Sequence, residues 1–206
     1  MPLQLINPPA EEPVSLAEAK LHVRVDINDD DALIAALISA ARQAAESLTG
    51  RQIVTARWKL VLDSFPGPSL MGVPAGQSFS LPGNSILIPK CPVQSVVAIQ
   101  YLDMASNLQT MPPTDYVVDV ACEPARLTPV FGKIWPISLP QIGAVWITFD
   151  AGYGSATSAP EGLKSWIKLR VDSLYSHRGE TAVVKGKLER LPFIDGLLDP
   201  YRVVLA

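Results

Sequence analysis

The stretch DDDALIAALISAARQAAESLTGRQIVTARWKLVL, Asp29 to Leu62, changes its period in the middle, and that change decides the fold class. In its first part Ile34, Leu37, Ile38, Ala41, Ala45 and Leu48 recur at steps of three and four, which places them on one stripe of a helix. Asn28, Asp29, Asp30 and Asp31 supply an N-cap and negative charge beside the positive end of the helix dipole, and Gly50 supplies a left-handed stop. Beyond Gly50 the period is two: Trp58, Leu60 and Leu62 alternate with Arg57, Lys59 and Val61, the pattern of a strand with one buried face. Helix followed by strands with no return to a helical period for a hundred residues predicts an α+β chain.

Upstream, Ser15 and Glu18 form a capping-box pattern ahead of a short helix from about Leu16 to Arg24. Downstream, strands are expected at Ser85–Ile88, Val93–Leu102, Tyr116–Val120, Ala125–Thr128 and Ala144–Phe149, with a hairpin turn at Asp103–Asn107 joining strands at Tyr101 and Gln109. Twelve of the nineteen prolines lie between Pro66 and Pro140, so the middle reads as a loop-rich antiparallel region. Pro160 opens a third helix, whose stripe is Leu163, Trp166, Ile167, Val171, Leu174 and Tyr175, opposite Lys164, Lys168, Asp172 and Arg178. The expected architecture is a small helical bundle, two amino-terminal helices and one long carboxy-terminal helix, with an inserted antiparallel β region and a tail. The expected segments are 1–52, 53–150 and 151–206, the helical parts packing together as one body.

Composition limits the function. Charged residues make up 18% of the 206 against about 25% in an average soluble domain, 48% are apolar, and the mean hydropathy is +0.22, so some apolar surface is expected to need a protein partner. Ser64 to Pro89 is uncharged but holds five prolines and four glycines, which reads as loop and not as a membrane span. The amino terminus lacks the basic start and apolar core of a secretory signal. A net charge of −3 argues against an ordinary basic nucleic-acid binder. Residues 1–50 sum to −5, residues 51–160 to 0 and residues 161–206 to +2, an asymmetry that solvated helix faces explain most simply. Cys91 and Cys122 lack metal-ligand or CxxC spacing and read as two reduced, buried thiols of a cytosol-made protein, with a single disulfide as the lesser alternative.

Chemistry finds no foothold in these residues. His22 and His177 are the only imidazoles, neither within a nucleophile signature, and read as surface or packing residues. Gly152–Gly154 lacks the third glycine of a dinucleotide loop, and Gly132–Lys133 is followed by Ile134 where a phosphate loop needs Ser or Thr. Asp26 with Asp29–Asp31 lacks the central glycine and closing glutamate of a calcium loop, so helix capping is preferred. No catalytic residue, cofactor or metal site is expected.

One ordered set of segments is more specific: SLAEAKLHVRV, DDDALIAALISAARQAAESLTGRQI, IPKCPVQSVVAIQYLD, DYVVD, FGKIWP, VWITFDAGYG and APEGLKSWIKLRVDSLYSHRGE, with LLDPYRVV at the end. In that order they resemble the head-to-tail connector, or adaptor, family of long-tailed bacteriophages and prophages, in its longer form with a β insertion. The resemblance gives no guidance on the loop from Gly67 to Gly83. It implies a non-enzymatic structural subunit, made in the host cytoplasm and carried in the neck of the virion. Such a subunit forms a homo-oligomeric ring beneath the portal protein, extends the DNA channel without sequence-specific DNA binding, and offers a platform to the next neck or head-completion protein. Another neck or tail-completion protein, or a small-molecule-binding α+β domain, are the alternatives.

Two surfaces follow as expectations. Beyond a link at Gly179–Leu191, expected to be mobile, Leu197, Leu198, Tyr201, Arg202, Val203, Val204 and Leu205 form a strip too apolar for water. It docks either on its own helices or on a partner, and the resemblance implies the portal. Glu11, Glu12, Asp29, Asp30 and Asp31 would repel passing DNA if they faced the channel, helix capping being their alternative use.

Overall fold

The computed structural model describes residues 2–66, 84–176 and 195–203. The Gly67–Gly83 loop, His177, Arg178, the Gly179–Leu191 link, Val204 and Leu205 lie outside the described residues. The fold is α+β, and the chain divides into two compact units, Met1–Pro8 with Ala56–Gly152, and Pro9–Thr55 with Tyr153–Ala206.

Among the described residues the first unit is built of strands, with one 3₁₀ turn at Pro113–Asp115. Strands β1 (Leu3–Asn7), β2 (Ala56–Leu62), β4 (Val93–Leu102), β5 (Leu108–Thr110) and β8 (Val145–Ala151) form an antiparallel sheet in the order β1-β2-β8-β4-β5. Strands β3 (Ile86–Ile88), β6 (Tyr116–Asp119) and β7 (Ala125–Pro129) form a second antiparallel sheet in the order β3-β7-β6. The central β8 alternates strictly, with Val145, Ile147, Phe149 and Ala151 buried and the residues between them half-buried. These side chains share a core with Leu60, Ile88, Ile99, Leu127 and Trp135. Across the outer face Arg57 makes a two-pronged ion pair with Asp150, at 2.8 and 2.9 Å, on directly paired positions. The expected hairpin is present, Tyr101 facing Gln109, with Asp103 accepting from the amides of Ala105 and Asn107 at 2.9 Å.

Strand β1 is absent from the sequence-based expectations. LQLIN is short, contains one β-branched residue and is fenced by Pro2 and Pro8, which hides the signal. The fencing has a physical reason, since β1 is an edge strand and prolines are tolerated there.

The second unit holds helices α1 (Leu16–Val23), α2 (Asp31–Thr49) and α3 (Glu161–Ser176) around one core that includes Ala19, Ile34, Ile38, Ala45, Leu163, Trp166 and Ile167. The capping box is complete: the Glu18 amide donates to Ser15 Oγ at 3.2 Å and the Ser15 amide donates to Glu18 Oε2 at 2.8 Å. The Ser15 amide and the Ser15 hydroxyl both donate to the Glu18 carboxylate and hold it below its ordinary pKa. Gly50 closes α2 at φ +74°, in the left-handed region.

Three expectations need correction. Leu48 is 50% exposed, because the stripe of α2 steps from Ala45 to Thr49 and widens to take in Arg42 and Glu46. Asp30 occupies the N-cap position of α2 without capping it: its Oδ2 accepts from the Tyr175 hydroxyl at 2.5 Å, tying α2 to α3. Neither cysteine is in a disulfide, but only Cys91 is buried; Cys122 is half-buried beside Asp119 and Arg126, where Arg126 Nη2 donates to its sulfur at 2.9 Å.

Candidate functional site

The carboxy-terminal segment is built into the helical unit. Two short 3₁₀ turns, Asp195–Leu197 and Asp199–Tyr201, place Leu198 fully buried in the helical core, with Leu197 and Tyr201 packed against it. The segment is also tied by its backbone: Val203 donates to the carbonyl of Thr49 at 2.9 Å, and Arg51 Nε donates to the carbonyl of Tyr201 at 2.5 Å. Gly162, near the start of α3, allows the Tyr201 ring to approach; a Cβ there would stand 2.9 Å from the ring. Of the seven residues expected to face the portal, Leu197, Leu198 and Tyr201 therefore contribute to their own unit's core. Arg202 is exposed, in an ion pair with Asp199 at 3.1 Å, and Val203 is half-buried.

The acidic residues also have internal partners. Glu12 pairs with Arg42 Nε at 2.7 Å, and Glu11 accepts from the Ala156 amide at 2.7 Å. Asp31 pairs with Lys20 at 2.7 Å, and Lys20 also donates to Asn28 at 2.8 Å. Asp29 is exposed in the turn before α2. The structure thus spreads these five carboxylates over four separate contacts, that of Asp30 with Tyr175 included, and one exposed turn.

Sequence reasoning passed over a polar cluster at the end of α2. Arg42 and Glu46 form an i,i+4 pair at 2.9 Å, legible from spacing alone, and both are largely buried. Glu46 also accepts from Gln52 Nε2 at 2.7 Å and from the Ile53 amide at 3.2 Å, and Gln52 in turn donates to the Val54 carbonyl at 3.1 Å. Burial alone would lower the Arg42 pKa, but the hydrogen bond to Glu12 and the field of Glu46 outweigh it and raise the pKa. These contacts fix the turn after α2.

The remaining chemistry is sparse. His22 is exposed on α1. Among the described residues no group of three or more His, Cys, Asp or Glu side chains could hold a metal ion. No described helix is long and apolar enough to cross a membrane.

The exposed apolar side chains are more informative than the polar ones. Phe131, Ile134, Ile137 and Ile142, all on the connection from β7 to β8, are 103, 80, 76 and 91% exposed. The FGKIWP segment was legible as part of an ordered pattern, but nothing in its sequence separates the buried Trp135 from its exposed neighbours.

Residues 13–100 match the family described as phage gp6-like head-tail connector protein, in accord with the resemblance carried by the amino-terminal helices and the first strands. No curated protein matches the chain. Among solved structures, the fold is similar over 100% of this chain and 97% of the other to a chain in the neck of an empty gene transfer agent particle computed with C6 symmetry, at 22% identity and a TM-score of 0.76. A chain of the native gene transfer agent virion gives 21% identity and 0.76 over the same shares. A chain of the native neck computed with C12 symmetry gives 22% and 0.73, again over 100% and 97%.

Proposed function

We propose that this chain is a structural neck protein of a tailed phage or phage-like particle, a head-to-tail connector that forms a homo-oligomeric ring under the portal and extends the DNA channel. The observation that carries the reading is the agreement of two independent likenesses, the connector-family match over residues 13–100 and the shared fold along the whole chain. The low charge content and the exposed apolar loop support it, since a ring subunit has surfaces that its neighbours cover. The polar cluster at Glu46 and the docked tail support a scaffold role in preference to catalysis.

Within this reading the portal contact falls to the last residues of the carboxy-terminal segment, at the exposed Arg202 with Val203, Val204 and Leu205. The opposite, tail-side face receives the next neck or head-completion protein. DNA passes without sequence-specific binding, and Asp29, exposed before α2, is the acidic side chain best placed to repel it should that turn face the channel.

Deleting the gene for this chain from the producing genome tests the proposal. DNA-filled heads that lack tails and leak DNA are expected, with tailed particles restored by the wild-type chain. Normal tailed particles from the deletion would overturn it. Arg202→Glu then tests the portal contact, with unchanged thermal stability and reduced recovery of the chain on portal-bearing heads expected; full recovery would count against that contact.

A further inference from the structure

The connection from β7 to β8, residues 130–144, contains neither helix nor strand and is nevertheless fixed at several points. Trp135 is buried, stacked on Phe65 with ring centroids 5.0 Å apart, and its Nε1 donates to the carbonyl of Asn84 at 2.6 Å. Leu139 donates its amide to Leu102 O at 2.8 Å, Gly143 donates to Asp63 Oδ1 at 2.8 Å, and Lys133 is paired with Asp115. Between these anchors stand the side chains of Phe131, Ile134, Ile137 and Ile142, almost wholly in water. A loop held this way has already lost much of the freedom that binding would otherwise cost, so its apolar side chains are preset for a partner.

The chemistry of the loop selects the occupant. Ile134 to Phe149 contains no charged residue, and the charge of Lys133 is engaged with Asp115, so the loop has nothing to offer a phosphate backbone. A matching surface exists on the same unit. Among the described residues strand β1 pairs only with β2, with no strand on its other edge, and exposes Leu5 and Ile6 by 47 and 42% in a segment, LQLIN, that is also free of charge. An open apolar edge is a ready template for contact with another chain. Joining the two surfaces buries no unpaired charge. They are also not the same surface: the loop is anchored where β2 and β4 end, through Asp63 and Leu102, whereas Leu5 pairs with Trp58 near the start of β2. Two different complementary patches on one subunit are what a head-to-tail, ring-closing contact requires.

We propose that the loop from Phe131 to Ile142 of one copy packs over the β1 edge, at Leu5 and Ile6, of the next copy in the ring. This rests on the ring reading above and assigns its subunit contact. The test is a cysteine pair, Ile134→Cys with Ile6→Cys in a Cys122→Ser background, carried in particles and oxidised. A ladder of disulfide-linked multimers extending beyond the dimer is expected from the double variant, and no ladder from either single cysteine. Monomer alone from the double variant, with the chain present in the necks, would overturn the contact. Electron cryomicroscopy of wild-type necks decides the matter if the variants do not assemble. Phe131 and Ile134 lying on the β1 edge of a neighbouring copy would support the contact, whereas their lying on a different protein or in solvent would overturn it while leaving the ring intact. Necks without this chain would overturn the ring reading itself, and the contact with it.

Discussion

Arg51 and Tyr201, 150 positions apart, are joined by a 2.5 Å hydrogen bond from the guanidinium Nε to the backbone carbonyl. The bond lies beside Leu198, which is fully buried among α2 and α3 side chains, and beside the link from the Val203 amide to the carbonyl of Thr49 at the end of α2. Leu197, Leu198 and Tyr201 are therefore part of the helical core. Leu198→Ala is expected to lower stability by about 2 to 5 kcal/mol, the usual range for emptying a buried leucine site. A chain ending at Leu191, which loses every one of these contacts, should be destabilised by at least as much. Urea unfolding checks both, and a truncated chain with an unchanged midpoint would show that the segment is dispensable to the fold.

Glu46 accepts from three donors, Arg42, Gln52 and the Ile53 amide, in a largely buried position. Glu46→Ala leaves the Arg42 guanidinium with Glu12 as its remaining carboxylate, strands the Ile53 amide away from water and leaves Gln52 Nε2 with the Val54 carbonyl. Breaking one side of a buried pair costs about 3 to 5 kcal/mol. Arg42 and Glu46 replaced together by Met and Leu should cost less than Glu46→Ala alone, because the charge then left without its partner is Glu12, which reaches solvent, in place of the buried guanidinium. A double variant as unstable as the single one in thermal melts would refute this account of the cluster.

Asp119 accepts from the Cys122 thiol and from Arg126, and these contacts lower its pKa from the ordinary 3.8 to about 2. Because the folded value lies below the unfolded one, the ionised carboxylate favours the fold above about pH 4, and that contribution fades as the pH falls toward 2. The same hydrogen bond raises the pKa of the thiol. Asp119→Asn should flatten the acid limb of the stability profile over that window and speed alkylation of Cys122 near neutral pH, since the thiolate is the reacting form. Equal alkylation rates in the two proteins would mean that Asp119 does not control the thiol.

The sequence carried the elements whose signal is local. The Ser15–Glu18 box, the Gly50 stop, the Tyr101–Gln109 hairpin and the α3 stripe depend on neighbours within a few positions, and each is present as read. What escaped depends on partners far along the chain. Strand β1 acquires its identity from β2, more than fifty residues away, and Leu198 reads as a free apolar tail until α2 and α3 are seen to close over it. Asp30 follows the same rule, a local cap by pattern and a long-range acceptor for Tyr175 in the fold. Of the candidate surfaces, composition indicated only that some apolar area would be exposed. The division of residues 130–144 into a buried Trp135 and four exposed side chains is set by Phe65 and Asn84, which local periodicity does not register.

That division makes a last prediction. Trp135 is buried against Phe65, whereas Phe131, four positions away, has no part of its side chain covered. Two aromatic residues in one loop should therefore respond in opposite ways. Trp135→Ala removes a large buried ring and the hydrogen bond to Asn84, at a cost of about 3 to 5 kcal/mol. It should also release the loop, so that limited proteolysis cuts between Phe131 and Ile142 at enzyme levels that leave the wild-type chain whole. Phe131→Ser removes nothing the fold uses and should change stability by no more than about 0.5 kcal/mol. A large loss from Phe131→Ser in the isolated chain would mean that its ring is covered by the chain itself, and a resistant loop in Trp135→Ala would mean that the other anchors hold it without the indole.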